Sequence, residues 1–202
     1  MRTTKVAVVY IVLCLAVTCR ALGQEHDRFE NVCSSLQNAT PPDLVQYLNG
    51  VTPAEENRWC ITWAIHKLGK ERYEPAIPAL VKLLDFRRPQ TRGEETFHGL
   101  SEELFPAQEA LELIGTKAQP DVLLAIEGDS PSSAARDNAV AVWMEIYKYE
   151  RPKGVAALKQ EEIKVDNEGI KTRLASAIQK ALSYCGRQDE AACQQAAVTG
   201  VP

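Results

Sequence analysis

The chain has 202 residues, of which 45% are hydrophobic and 25% charged, and its formal net charge at pH 7 is −4. This composition is that of an ordinary globular protein and excludes the collagen-like, low-complexity and disordered classes. The chain has 27 acidic and 23 basic side chains. This acidic balance argues against a protein that binds the phosphate backbone of nucleic acids.

Residues 1–23 have the three parts of a secretory signal peptide. Two basic residues precede an apolar run over residues 6–19, which is shorter than the roughly 20 residues that a membrane-spanning helix needs. Small residues then predict cleavage before Gln24, and hence a periplasmic or secreted protein without a membrane anchor. An uncleaved anchor and a lipoprotein modified at Cys19 are less favoured alternatives.

Cleavage would leave 179 residues with 20 basic and 27 acidic side chains, a formal charge of −7. That length is enough for one domain with a sizeable core. The first part of this mature chain, residues 24–50, is predicted to form an N-terminal cap with a first short helix.

Four cysteines remain after cleavage, and an even number in an exported chain favours two disulfides. Three pairings are open to them. We predict Cys33–Cys60 and Cys185–Cys193, because each pair is close in sequence and flanks one end of the chain. Zinc is the rival interpretation, but the chain has neither a C-x2-C spacing nor paired histidines. No metal and no cofactor is therefore expected.

Helical apolar periodicity covers nearly all of the mature chain, and no strand alternation is evident. Four segments carry the same i, i+3, i+4, i+7 apolar stripe, which is the core-facing side of an amphipathic helix. The offsets between successive stripes are 46, 32 and 36 residues. The stripes are Ile61/Ala64/Ile65/Leu68, Ala107/Ala110/Leu111/Ile114, Ala139/Val142/Trp143/Ile146 and Ala175/Ile178/Gln179/Leu182.

A shorter helix is predicted before each of these long helices. Proline is tolerated in a first helical turn, so Pro42, Pro120 and Pro152 indicate three starts, whereas Pro78 lies inside a helix predicted from about Arg72 to Leu84.

The ends of the long helices are also indicated by sequence. Thr52 to Glu55 has the pattern of a capping box, and Ser130 and Asp166 are candidate N-caps. Gly69 and Gly115 are candidates for the left-handed residue that follows a helix.

Four helix pairs with this period resemble HEAT or HEAT-like repeats of the type found in phycobilin lyases. The resemblance is clearest in residues 72–84 (RYEPAIPALVKLL), 106–126 (PAQEALELIGTKAQPDVLLAI) and 136–146 (RDNAVAVWMEI). It implies an all-α, right-handed α-solenoid of about four helix pairs, spanning residues 51–184. It also implies a binding or scaffolding role more often than catalysis. Residues 185–202 are then a disulfide-closed C-terminal cap, and a helix at about residues 27–36 belongs to the N-terminal cap.

A second stripe on the first long helix contains Trp59, Trp63 and His66, facing away from the core stripe. The same positions on the later helices would continue it as a row along the concave side. Two tryptophans one turn apart can stack on a sugar or hold a peptide, although residues 27–50 could instead cover them. The later positions are Phe105, Glu109 and Glu112, then Asp137, Ala141 and Met144, then Arg173, Ala177 and Lys180.

The 46-residue offset contains about 10–14 more residues than the other two, and we assign them to an inserted loop, residues 86–104. The candidate binding residues of this loop are Arg87, Arg88, Arg92, Phe97 and His98. Arginine forks suit carboxylates, the phenylalanine offers an apolar anchor, and the histidine can make contact depend on pH.

These patterns predict a non-enzymatic protein that binds another protein or a peptide, in the setting of a bacterial periplasm or cell exterior. Acidic residues on the predicted concave row argue against nucleic acid. A glycan-binding module using Trp59 and Trp63 and a lyase-like accessory factor are the alternatives.

Overall fold

The computed structural model describes residues 33–90, 104–129 and 132–202, and within these ranges every regular element is helical. The predicted signal peptide and most of the predicted loop lie outside the described residues. The described chain contains nine α-helices: α1 Pro41–Gly50, α2 Arg58–Lys70, α3 Ile77–Val81, α4 Pro106–Ile114, α5 Gln119–Glu127, α6 Ser133–Ile146, α7 Arg151–Lys164, α8 Glu168–Leu182 and α9 Glu190–Thr199. This confirms the all-α class. None of these helices is long and apolar enough to cross a membrane.

Proline marks the starts of the short helices, as predicted for Pro42, Pro120 and Pro152, which all lie in first turns. The prediction that Pro78 lies inside a helix, beyond its first turn, is wrong. The helix begins at Ile77 rather than near Arg72, so Pro78 also lies in a first turn. The reason is that Arg72 adopts a left-handed backbone with φ of 48°, which ends the preceding helix.

The N-caps of the long helices lie a few residues later than predicted. The α2 helix starts after Asn57, whose side-chain oxygen accepts from the Ala54 amide at 2.9 Å, in place of the predicted Thr52 capping box. Ser132 accepts from the Ala135 amide at the start of α6, and Asn167 rather than Asp166 caps α8. The predicted cap Ser130 lies outside the described residues.

The core stripes of α2 and α4 are buried at all four predicted positions, and the third stripe is buried apart from half-buried Ile146. The fourth stripe is wrong by one residue. Ala175 and Gln179 are exposed, and the buried set on α8 is Leu174, Ala177, Ile178 and Ala181. The offset between the last two stripes is therefore 35 residues rather than 36.

The helices pack in chain order. The long helices α2, α4, α6 and α8 each contact the next one in that series. The short helices α1, α3 and α5 form a second series, in which each helix contacts the next. Each short helix also packs on the long helix that follows it. A single hydrophobic core runs from Leu44 in α1 to Ala196 in α9.

The α2 and α4 helices approach each other at Gly69. A Cβ atom at this glycine would lie 2.6 Å from the Cα of Ala110, so only glycine fits. Gly69 thus lies inside α2 and is not the left-handed residue that the sequence predicted. Gly115, with φ of 79°, does terminate α4 as predicted.

Both predicted disulfides are present, Cys33–Cys60 with a Cα–Cα distance of 5.3 Å and Cys185–Cys193 with 6.6 Å. Two such bonds favour an oxidising compartment. In the N-terminal cap, residues 34–36 form one 3-10 turn, and residues 27–32 of the predicted cap helix lie outside the described residues. Within the predicted C-terminal cap, the helix α9 begins after Asp189 and packs chiefly on α7 and less on α8.

Candidate functional site

The aromatic stripe of α2 is neither open nor fully covered. Trp59, Trp63 and His66 are all half-buried, and Trp63 packs against the core. The Lys67 ammonium lies 5.2 Å from the centre of the Trp63 ring and donates to the Ala39 carbonyl at 2.9 Å. The segment before α1 therefore holds a cation against this tryptophan, so the N-terminal cap reaches the stripe without enclosing it.

Histidine and glutamate of two successive long helices meet beside this tryptophan. Nδ1 of His66 on α2 lies 3.3 Å from Oε2 of Glu109 on α4, and both side chains are partly exposed. Glu112, one turn further along α4, is half-buried. The structure thus brings together two of the predicted site residues that are 43 positions apart.

Burial lowers the pKa of His66 below its ordinary value of 6.5. The negative charge of Glu109 opposes this shift, while the positive charges of Lys70 and Arg88 add to it. His66 is consequently neutral at pH 7, and the Arg88 guanidinium is close enough for its charge to act on the imidazole.

The base of the predicted loop is part of the folded framework. Phe86 is buried in the core, and the Arg88 amide donates to the Leu104 carbonyl at 3.0 Å, which joins the two ends of the insertion. Pro89 is buried as well. The loop boundary at residue 86 is therefore wrong, because Phe86 supplies a core side chain.

The loop-base arginines are oriented by their neighbours. The exposed Arg87 guanidinium lies 5.7 Å from the centre of the Phe105 ring, and half-buried Arg88 donates to the Pro89 carbonyl at 3.2 Å. The remaining candidates of the loop, Arg92, Phe97 and His98, lie outside the described residues.

The predicted concave row does not continue along the later helices. Ala141 and Met144 of α6 and Ala177 of α8 are buried, so they belong to the core and not to a binding surface. The predicted position of Ala177 is wrong because the predicted core stripe of α8 is shifted by one residue. In the observed stripe Ala177 lies on the packed face.

The remaining polar members of the row join helices to each other. Arg173 donates to the Glu127 carbonyl and pairs with Asp129, while Lys180 lies 3.6 Å from Asp137. These contacts hold α8 against its neighbours, so they are structural in character.

The candidate site is therefore one corner, which we call the α2–α4 corner and define by Trp63, His66, Lys70, Arg88 and Glu109. The predicted aromatic stripe and the base of the predicted loop meet there, since the charge of Arg88 acts on His66. Sequence reasoning missed Lys67 and Lys70, although Lys67 follows Trp63 by four residues, the spacing at which helical side chains meet.

The described residues contain no group of three or more histidine, cysteine, aspartate or glutamate side chains placed to hold a metal ion. No family model and no curated protein matches this sequence. The HEAT-like assignment thus stays a prediction that rests on the repeat pattern.

Proposed function

We propose that the protein is an exported, non-enzymatic, HEAT-like right-handed α-solenoid that binds a protein or peptide partner. Three features support the solenoid: the long helices pack in chain order, the short helices form a second series, and each end is closed by a disulfide. Repeats that contact only their neighbours need a cap at each end, because terminal repeats lack one stacking partner.

The α2–α4 corner is the observation that carries the binding role. It combines a half-buried tryptophan with charged side chains from two helices and a loop base at one partly exposed place. Aromatic and arginine side chains in this mixture are typical of the residues that dominate protein interfaces. Elsewhere the predicted row is occupied by core residues and interhelical pairs.

The glycan alternative is weakened at Trp63, whose ring packs on the core and lies beside Lys67. Sugar stacking needs an open ring face. Titration of tryptophan fluorescence with oligosaccharides tests the alternative, and a saturable change that Trp59→Ala abolishes would favour it over peptide binding.

Site-specific photo-crosslinking tests the proposed function. A benzophenone side chain at exposed Lys70 should yield a discrete crosslinked protein band in the exported fraction. The same probe at exposed Ala175 on α8, outside the corner, is the matched control. Equal crosslinking at both positions, or none at Lys70, would contradict binding at the corner.

Export is tested separately by intact-mass measurement of the protein recovered outside the cytoplasm. We expect a chain that begins at Gln24 and has no free thiol. A mass that includes residues 1–23, or a lipid on Cys19, would contradict the proposed processing.

A further inference from the structure

We propose that the partner segment bound at the α2–α4 corner is acidic, an inference that rests on the proposed function and names the chemistry of the partner. Four of the five residues that define the corner lie in a basic stretch of the chain, and the fifth, Glu109, lies outside it. Residues 58–88 contain seven basic and three acidic side chains, a charge of +4, whereas the rest of the chain has sixteen basic and twenty-four acidic ones, a charge of −8.

Some cations of this stretch are engaged elsewhere, as Lys67 is with the Ala39 carbonyl, but two others are exposed at or next to the corner. Lys70 and Arg87 are exposed, and Arg88 is half-buried beside His66. Arg87 lies over Phe105, so its guanidinium is held in one region before a partner arrives, and less side-chain entropy is lost on binding. A planar guanidinium matches a carboxylate through two parallel hydrogen bonds. An acidic segment therefore complements the corner in both charge and geometry.

Acidic side chains at and near the corner oppose the binding of an acidic segment. Glu109 faces His66 from α4, and Glu71 and Asp85 are exposed in the same basic stretch. Because its pKa is lowered, His66 is mostly neutral at pH 7 and does little to offset the charge of Glu109. A bound acidic segment adds negative charge, which favours protonated His66, and protonation in turn offsets Glu109. Binding should therefore take up a proton and tighten as the pH falls from about 7.5 toward about 6, below the ordinary pKa of a histidine side chain.

The first experiment measures binding of a fluorescent ten-residue oligoglutamate peptide to the full mature chain by fluorescence anisotropy. We expect saturable binding that weakens steeply with added salt, as exposed charge pairs are screened. Binding should tighten at the lower pH, and His66→Gln should remove most of this tightening. Oligolysine and oligoglutamine peptides of equal length should bind much more weakly.

The second experiment reverses charge. Lys70→Glu with Arg87→Glu should weaken oligoglutamate binding by about tenfold or more, in line with the effect of reversing interface charges. Lys117→Glu with Lys153→Glu changes the net charge equally at exposed positions of other elements and should change binding less than about twofold. If the reversed corner fails to fold by circular dichroism, Lys70→Gln with Arg87→Gln replaces it.

The proposal is overturned if oligoglutamate does not bind, if both double variants weaken it equally, or if a ten-nucleotide single-stranded DNA binds more tightly than the peptide. The crosslinking experiment distinguishes this failure from failure of the proposed function. A partner captured at Lys70 through a basic or uncharged segment would leave the binding role intact and contradict only its acidic chemistry.

Discussion

Gly69 lies where α2 packs closely against α4, so that an added side chain has no room. The Gly69→Ala variant places Cβ 2.6 Å from the Ala110 Cα, a backbone atom that can move only with its whole helix. We expect a loss of about 1–3 kcal/mol in the free energy of unfolding, typical of overpacking, measured by urea denaturation.

The matched control for this variant is Gly50→Ala at the end of α1, where an added Cβ meets nothing within 4 Å. This change should leave stability unchanged or raise it by up to about 1 kcal/mol, because alanine loses less backbone entropy in a helix. Equal effects of the two substitutions would show that the contact with Ala110 does not limit stability.

Asn138 is a second residue at which a single polar contact matters. Its side-chain amide on α6 is buried and donates to the Leu84 carbonyl, just beyond α3, at 2.6 Å. The Asn138→Ala variant removes this buried donor, and we expect it to cost about 1–3 kcal/mol in the free energy of unfolding. The comparison is Asn49→Ala at an exposed position of α1, which should change the unfolding midpoint little.

The lowered pKa of His66 predicts a pH dependence of stability. The unfolded chain binds the imidazole proton at a pKa of about 6.5, while the folded chain binds it only at lower pH. Between these two pKa values the unfolded state carries more protons, so the unfolding free energy falls as the pH is lowered through the window below 6.5. The effect is fully expressed once the pH lies below the folded pKa.

Urea midpoints of the wild-type chain and His66→Gln, measured from about pH 7.5 to 5.5, check this prediction. The wild-type chain should lose more stability over this range, since all other titrating groups are common to both proteins. A parallel decline of the two chains would show that His66 does not titrate differently in the folded state.

At the scale of elements, the sequence predicted helices well where the two candidate faces differ strongly. The α4 stripe alternates with charged residues, so its burial was unambiguous. On α8 the run Leu174-Ala175-Ser176-Ala177 has small apolar residues on two adjacent faces, and alanine is compatible with either. Packing of α8 against α7, α6 and α5 selects one of these faces. The left-handed Arg72 was equally beyond prediction, because that conformation is rare for a residue with a side chain.

The two disulfides make a prediction about the terminal elements. Replacing Cys185 and Cys193 with alanine should free the N-terminal side of α9 and cost about 2.5 kcal/mol by the loop-entropy estimate. Hydrogen exchange should show the loss of protection confined to α9 and the adjoining face of α7. Uniform loss across α2 and α4 would contradict a local role.

The Cys33–Cys60 disulfide closes a longer loop, so replacing these two cysteines with alanine should cost more, about 3.6 kcal/mol by the same estimate. In this variant, hydrogen exchange should become faster in α1, which packs on α2. Chemical denaturation of both variants provides the comparison, and a larger effect at the C-terminal bond would contradict the loop-length argument.

At the scale of the whole molecule, the insertion should be separable from the fold. Because the Arg88 amide and the Leu104 carbonyl join its two ends, replacing residues 91–103 with a short Gly/Ser linker should leave helicity and the melting temperature nearly unchanged. Circular dichroism measures both. A variant that also replaces residues 86–90 should be clearly less stable, since it removes buried Phe86 and Pro89. If the first variant fails to fold, the insertion is required for the stability of the fold.

The order of helices and both disulfides could be predicted because they depend on local periodicity and on closeness in sequence. The corner could be predicted only in pieces. Its tryptophan stripe and its loop arginines were separate candidates. Whether they meet depends on how α2 and α4 stack, and no local sequence pattern predicts that packing. The failure of the concave row beyond α4 has the same origin, because Met144 of α6 is covered by neighbouring helices that its own sequence does not specify.

The placement of the two disulfides also decides how the molecule bears a mechanical load. When the chain is pulled by its ends, tension that reaches Cys33 passes through the covalent bond straight to Cys60, so residues 34–59 with α1 carry none of it. At the other end the pull strips residues 194–202 from α7 and then passes from Cys193 to Cys185. A motor that threads the protein from either side therefore meets a bond that force alone does not open, and must wait for a reductant before those segments can be extended.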